Sequence, residues 1–227
     1  MILFQEIFER AVNLFDDPEI NQAYLYDPVK FEQMMRVYLI NGKAKFNRPQ
    51  IIASALGSYT SASGKAEVFQ GNGGKEYTLS EGNVPVDNSA MSFKINGQLV
   101  NGEYDPETKK VVFERDITEE ENCSFEWYYS GAFTINAESL FKENGESNAE
   151  LIKDVLTRCL CLAWADKTRN FLLEIKNIMS DTEFKVHSAA NALEARNAWR
   201  LQIEKEIRND ITALGWAIKN GGNIVGR

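Results

Sequence analysis

Between Ile2 and Leu56 apolar residues recur every three or four positions, the period of a helix that buries one face. Leu3, Phe4, Ile7, Phe8, Ala11, Val12 and Phe15 form the first such stripe, and Asp16-Asp17-Pro18 ends it. Asp27-Pro28 reads as an N-cap followed by proline at the first helical position, where no N–H is required. Phe31, Met34, Met35, Tyr38 and Leu39 continue the period. Gly42 is the expected stop. A third short helix is expected from Pro49, carrying Ile51, Ile52, Ala55 and Leu56.

The period then changes. Ser58–Gly64 is small and polar and reads as a linker; from Lys65 to Phe133 the alternation is two-residue, the mark of strands. Val68-Phe69, Tyr77–Leu79, Met91–Ile95, Val111–Phe113 and Phe125–Tyr129 are the strand candidates. Turn signals at Gly71–Gly74, Val84-Pro85, Asn96-Gly97, Asn101-Gly102 and Asp105-Pro106 separate them. Asn96-Gly97 is the clearest hairpin turn, since both types tolerate the positive φ of a type I′ turn. Short strands at this spacing predict an antiparallel β-sandwich or small barrel.

After Gly131 the helical period returns. Ser147–Glu150 has the spacing of a capping box and opens a helix carrying Leu151, Ile152, Val155, Leu156, Cys159, Leu162 and later Phe171 to Ile178. Residues 182–186 read as an extended link. A last helix begins near Ser188, runs through Trp199, Ile203, Ile207 and Leu214, and stops at Gly221-Gly222. The expected fold class is therefore α+β: a mainly helical, discontinuous domain of residues 1–60 and 134–227, with an antiparallel sandwich or barrel inserted at 61–133.

Charge divides the same way. The 227 residues carry 25 Lys and Arg against 33 Asp and Glu, a net of −8. Residues 64–133 hold 6 basic and 13 acidic side chains, so nearly all the acidity belongs to the strand-rich module. That module reads as a strongly solvated lobe or one that meets a basic partner. An acidic balance argues against broad nucleic-acid binding, which leaves DNA contact indirect. The opening Met1–Phe15 has acids at Glu6 and Glu9 and lacks a basic lead, so it does not read as a secretory signal. No apolar run approaches a membrane span, and no membrane contact is expected.

Motifs for chemistry are sparse. One histidine, His187, excludes multi-histidine metal sites and reads as a capping-turn residue that could also titrate near neutrality. Cys159 and Cys161 stand about 200° apart on a helix, too far around to share a metal or a disulfide; with Cys123 they read as buried small hydrophobes. Gly71–Thr78 lacks phosphate-loop spacing. Glu114 and Glu126 could face each other across a sheet, as acids on a solvated face do. No cofactor or metal is expected, and no catalytic residue can be assigned.

What remains are surface candidates. Glu119, Glu120 and Glu121 are consecutive and cannot converge on one cation; a solvated turn or a docking point fits them. Trp127, Tyr128 and Tyr129 are consecutive on a strand, so alternation must turn at least one outward. Arg196, Arg200 and Arg208 interleave with acids on the last helix, where ion pairs four residues apart are the plain reading and contact with an acidic neighbour the functional one. Trp199 and Trp216 lie 17 residues apart on the same helix, close to whole turns. Aromatic side chains not used by the core suit a subunit contact.

The β module resembles a small sandwich found in virion proteins of tailed bacteriophages. The resemblance rests on Phe69–Gly73 (F-x-G-x-G) with Thr78-Leu79, the Lys94–Gly97 K-I-N-G turn, the Tyr104–Phe113 run YDPETKKVVF, and the aromatic strand before Gly131. Residues 181–210 also resemble the end of phage structural proteins, where an F-x-x-x-S-x-A-N-x-L turn, here Phe184–Leu193, opens a final helix. The resemblance implies a non-enzymatic head–tail connector or neck protein located in the virion and made in the host cytoplasm. It implies a homo-oligomeric ring whose neighbours are portal or tail proteins. A baseplate or tail-completion protein is also compatible. A rival of another class is a carbohydrate- or receptor-binding module, with Trp127 or Tyr128 stacking on sugar.

Overall fold

A computed structural model of the chain describes residues 1–15, 17–47, 55–136, 145–178 and 189–219. Within them the helices are α1 (Phe4–Val12), α2 (Pro18–Tyr26), α3 (Pro28–Lys43), α4 (Gly145–Ile178) and α5 (Ala189–Lys219). The strands are β1 (Ile2–Leu3), β2 (Leu56–Tyr59), β3 (Ser63–Gln70), β4 (Glu76–Thr78), β5 (Ala90–Ile95), β6 (Gln98–Val100), β7 (Gly102–Asp105), β8 (Lys110–Phe113), β9 (Asn122–Tyr129) and β10 (Ala132–Ile135). Contacts group the chain into two compact units. A helical unit comprises Met1–Phe15, Met35–Tyr59 and Ala132–Arg227; a β unit comprises Asp16–Met34 and Thr60–Gly131. The division falls within α3.

In the helical unit α4 is the central element. Its buried residues include Val155, Leu156, Cys159, Leu160, Cys161, Leu162, Trp164 and Ala165, which lie all round the helix and not on one stripe. Both cysteines are therefore buried on opposite faces, and burial pushes each thiol up to about 12. One side of α4 meets α1, through its Phe4–Val12 stripe, and another meets α5 through Ile203, Ile207, Ile211 and Leu214. Arg10 of α1 pairs with Glu150 and Asp154 of α4, and Lys153 donates to Glu6 at 2.8 Å. A small antiparallel sheet in the order β1-β10-β2 completes the unit, its Phe133 ring 4.6 Å from that of Phe4.

Gly42 does not stop α3, which runs on to Lys43 and a short 3-10 turn at Ala44–Asn47. A Cβ at residue 42 would lie 2.1 Å from the backbone oxygen of Cys159, so glycine is required by the approach of α3 to α4. Residues 55–59 also differ from expectation. Leu56–Tyr59 is a strand because it pairs with β10, and the expected linker is already extended from Ser63 onward. The expected boundary after Phe133 falls inside a strand: Ala132–Ile135 is β10, which pairs within the helical unit. Helix α4 starts at Gly145, which places Ser147 inside it and not at its N-cap. The remainder of the short helix expected from Pro49, the link at 182–186, His187, Ser188 and the Gly221-Gly222 stop lie outside the described residues.

In the β unit two antiparallel sheets, β3-β9-β5-β6 and β4-β8-β7, share one core; they do not close into a barrel. Phe93, Ile95, Cys123, Phe125 and Trp127 from the first sheet meet Tyr77, Val111 and Phe113 around the second. Phe93 and Phe113 meet edge to face at 6.0 Å, and Tyr104 stacks on Phe125 at 5.6 Å. Asn96 and Gly97 have φ of 49° and 79°, the paired positive values a two-residue hairpin needs between β5 and β6. Helix α2 is capped by Asp17, whose carboxylate accepts from the N–H groups of Glu19 and Ile20. Asp27 accepts from Lys30 N–H and from the Ser92 hydroxyl, tying the start of α3 to β5.

Candidate interaction surfaces

Strand β9 separates the three consecutive aromatics. Cys123, Phe125 and Trp127 alternate inward, and Trp127 is only 4% exposed, stacked 5.2 Å from Phe125. It is a core side chain and has no face to offer a sugar or a neighbour. Tyr128 points the other way, over Gly64 of β3, and is half-buried. Tyr129 is also half-buried, its hydroxyl 3.4 Å from that of Thr60. Glu126, outward on the same strand, receives both contacts of Lys94 at 2.8 Å. Glu114 lies beyond β8 and accepts from Asn101, so the two carboxylates are not brought together.

The glutamate run is likewise divided by geometry. Glu121 folds back on its own loop, where Arg115 grips it with two nitrogens at 2.7 and 2.8 Å and the Thr118 N–H donates at 3.1 Å. These contacts hold its carboxyl at about 2. Glu119 and Glu120 occupy the tip of the turn, exposed. The Gly71–Gly74 loop braces that turn: Gly71 N–H donates to Glu121 O, Gly73 N–H to Ile117 O, and Ile117 N–H to Gly74 O, each at 2.9 Å. A Cβ on residue 71 would fall 1.8 Å from Thr118 O. The glycine-rich stretch thus serves a loop–loop contact.

On the helical unit the α5 candidates fall into inner and outer groups. Arg196 lies 4.2 Å above the Trp164 ring, and Trp199 meets the same ring edge-on at 5.5 Å. Arg200 pairs with Asp166 of α4 and with Glu204 one turn on. Those three side chains hold α5 to α4. Arg208 is exposed, donating to the Glu204 carbonyl, and it borders a cleft of about 650 Å³ lined also by Lys45, Leu162, Ile207, Ile211 and Thr212. Trp216 is 61% exposed, and Leu201 and Phe171 are left outward to a similar degree. The Arg196–Trp164 contact was not legible from sequence, because it depends on the register of two helices.

Among the described residues, no cluster of three or more His, Cys, Asp or Glu side chains could hold a metal, and no helix is long and apolar enough to cross a membrane. The three cysteines are free and buried. Comparison of the chain with known protein families, curated proteins and solved structures finds no match.

Proposed function

We propose that this protein is a non-enzymatic structural component of a tailed-phage virion, a ring-forming connector of the neck between portal and tail. Its body is the helical domain of residues 1–60 and 134–227, and the acidic sandwich of 61–133 is an arm that reaches a neighbouring protein. The observation that carries the reading is the outward apolar load of α4 and α5. Phe171, Leu201 and Trp216 stand in solvent on two long paired helices, a costly arrangement that contact between copies relieves. The phage assignment itself rests on the resemblance of the β module and of residues 181–210.

Quantitative mass spectrometry of purified virions tests it. A low copy number commensurate with one ring, compared with the portal, is the expected result; absence from the particle overturns it. A copy number matching the tail tip and not the neck moves the protein to the baseplate or to tail completion.

A further inference from the structure

Strand β3 is an open edge. The first sheet runs β3-β9-β5-β6, so β3 has a partner on one side only. Its 8 residues pair with β9 without a bulge, from Ser63–Tyr129 to Gln70–Asn122. The other edge strands of the β unit, β4, β6 and β7, are 3 or 4 residues long, and short edges resist the addition of a further strand. Antiparallel pairing turns alternate main-chain groups outward. Gly71 N–H continues the ladder to Glu121 O, so residues 63, 65, 67 and 69 face β9. Gly64, Ala66, Val68 and Gln70 therefore present N–H and C=O at the free side. Among the described residues nothing bonds those groups, and all four residues are exposed.

The side chains select what can pair there. Lys65 and Glu67 lie on the core side of the sheet, opposite Trp127 and Phe125. Lys65 Nζ donates to Asn83 Oδ1 at 2.9 Å, and the Glu67 carboxylate accepts from Ser80 N–H at 2.9 Å. These partners are neutral: among the described residues Lys65 meets no carboxylate and Glu67 no cation. An incoming strand must answer one positive and one negative charge placed two residues apart. A second β3, antiparallel about a two-fold axis at Ala66, does so twice. Lys65 then stands opposite Glu67 of the second copy, and Glu67 opposite its Lys65. Registers centred on Lys65 or on Glu67 set like charges face to face, and a one-residue slip mismatches the outward main-chain groups. The same register sets Val68, 69% exposed, opposite Gly64 of the second copy, over which that copy's Tyr128 ring lies.

We propose that β3 of one copy pairs edge to edge with β3 of a second, centred on Ala66, so that two β units share one continuous sheet. About six main-chain hydrogen bonds form across the axis, from Gly64, Ala66 and Val68 of each copy. The contact uses the same surface on both copies and joins them in pairs, whereas a ring needs contact between different surfaces. The inference therefore goes beyond the ring reading and does not rest on it. The acidic surplus of the β unit opposes the approach of two copies at low salt. At about 0.15 M ionic strength that repulsion is screened beyond about 8 Å, and the short-range pairs remain.

Variants specific to the register test the pairing. Analytical ultracentrifugation of the full-length chain at that ionic strength is expected to show self-association, which K65E or E67K alone weakens about tenfold or more. An equimolar mixture of the two is expected to regain it, since unlike charges again stand opposite; chains that fail to fold could not. Ala66→Pro removes only an outward N–H, so β3 keeps its ladder with β9 while association is lost. Proton NMR checks folding throughout. Under mild oxidation Ala66→Cys is expected to give a disulfide-linked dimer and Val68→Cys none. Only residue 66 meets itself across the axis, at about 5.5 Å between Cα atoms, and the three native cysteines are buried. Association that survives K65E, E67K and Ala66→Pro overturns the pairing and leaves the ring reading standing. So does a mixture that regains nothing, or equal cross-linking at residues 66 and 68. A wild-type chain that stays monomeric leaves the edge to a strand of another protein, and the inference falls.

Discussion

The two units use charge in different ways. In the helical unit, ion pairs join elements far apart in sequence: Arg10 to Glu150 and Asp154, Arg158 to Glu206 and Asp210, Arg200 to Asp166. Each couples α4 to α1 or to α5. In the β unit, Lys94–Glu126 and Lys110–Glu76 couple adjacent strands, Arg115–Glu121 closes one loop, and a surplus of carboxylates faces solvent. Cohesion there comes from the aromatic layer between two sheets. One unit directs its charges inward to fix helix packing; the other leaves them outward, where they are available to a partner.

Removing the centre of each core sharpens that contrast most. Trp164 and Phe125 are fully buried, one in each unit, and truncation of either to alanine is expected to cost about 3–5 kcal/mol. Trp127 is the single tryptophan of the β unit, so labelling the chain with 5-fluorotryptophan lets its own 19F resonance report that unit apart from Trp164, Trp199 and Trp216, while the far-UV helical signal reports chiefly the other. Trp164→Ala is expected to lower the midpoint of the helical signal and Phe125→Ala that of Trp127. A common shift in both signals for either variant would show that the cores unfold as one.

Next come the close backbone approaches. Gly42→Ala forces α3 against the Cys159 carbonyl, and Gly71→Ala forces the glycine loop against Thr118. Neither neighbour is a flexible side-chain end, so each substitution is expected to cost about 1–3 kcal/mol, measured by denaturant unfolding. Gly71→Ala should also loosen the Asp116–Glu120 turn, which Gly42→Ala leaves alone.

These glycines show where sequence reading runs out. The main helices and most strands of the β unit follow from local period, because burial on one face imposes that period on the residues. The Asn96-Gly97 hairpin follows from backbone φ alone. Ile2-Leu3, Leu56–Tyr59 and Ala132–Ile135 are different: two to four residues are too few to show alternation, and each is a strand because of a partner far away in the chain. Gly42 looked like a stop because the close approach of α4 leaves no local mark. The surface candidates divide for the same reason. Alternation could place Trp127 and Tyr128 on opposite faces, but not choose which face was the core. Nor could the run of three glutamates reveal that Glu121 belongs to Arg115 and only its two predecessors to solvent.

Acid should separate the units further. The Glu121 carboxyl is held at about 2, below its ordinary value of 4.5, by Arg115 first and the Thr118 N–H second. A depressed carboxylate contributes stability that is present above the unfolded pKa and is lost as pH falls through the folded one. The contribution should therefore fade from about pH 4.5 to about 2. In an acid titration followed by the Trp127 19F resonance, Glu121→Gln is expected to flatten that part of the curve and to leave the helical signal unchanged. An unaltered titration would mean that the Arg115 grip does not contribute to folding.

The smallest effects lie in the ion pairs themselves, and they test the opening contrast most directly. Lys110–Glu76 bridges two strands with both side chains about half exposed, so solvent screens it and a double-mutant cycle should give about 0.5 kcal/mol or less. Arg158–Asp210 joins α4 to α5 with Asp210 only 15% exposed, and Arg158 also reaches Glu206. Partial desolvation and the shared guanidinium should raise its coupling to about 1 kcal/mol. Raising salt should erase the first coupling and leave most of the second, because the Debye length matters less where water is excluded. Equal couplings in the two units would mean that the inward pairs are no more than surface charge that happens to span two helices, and the helical packing would then rest on Trp164 and its apolar neighbours alone.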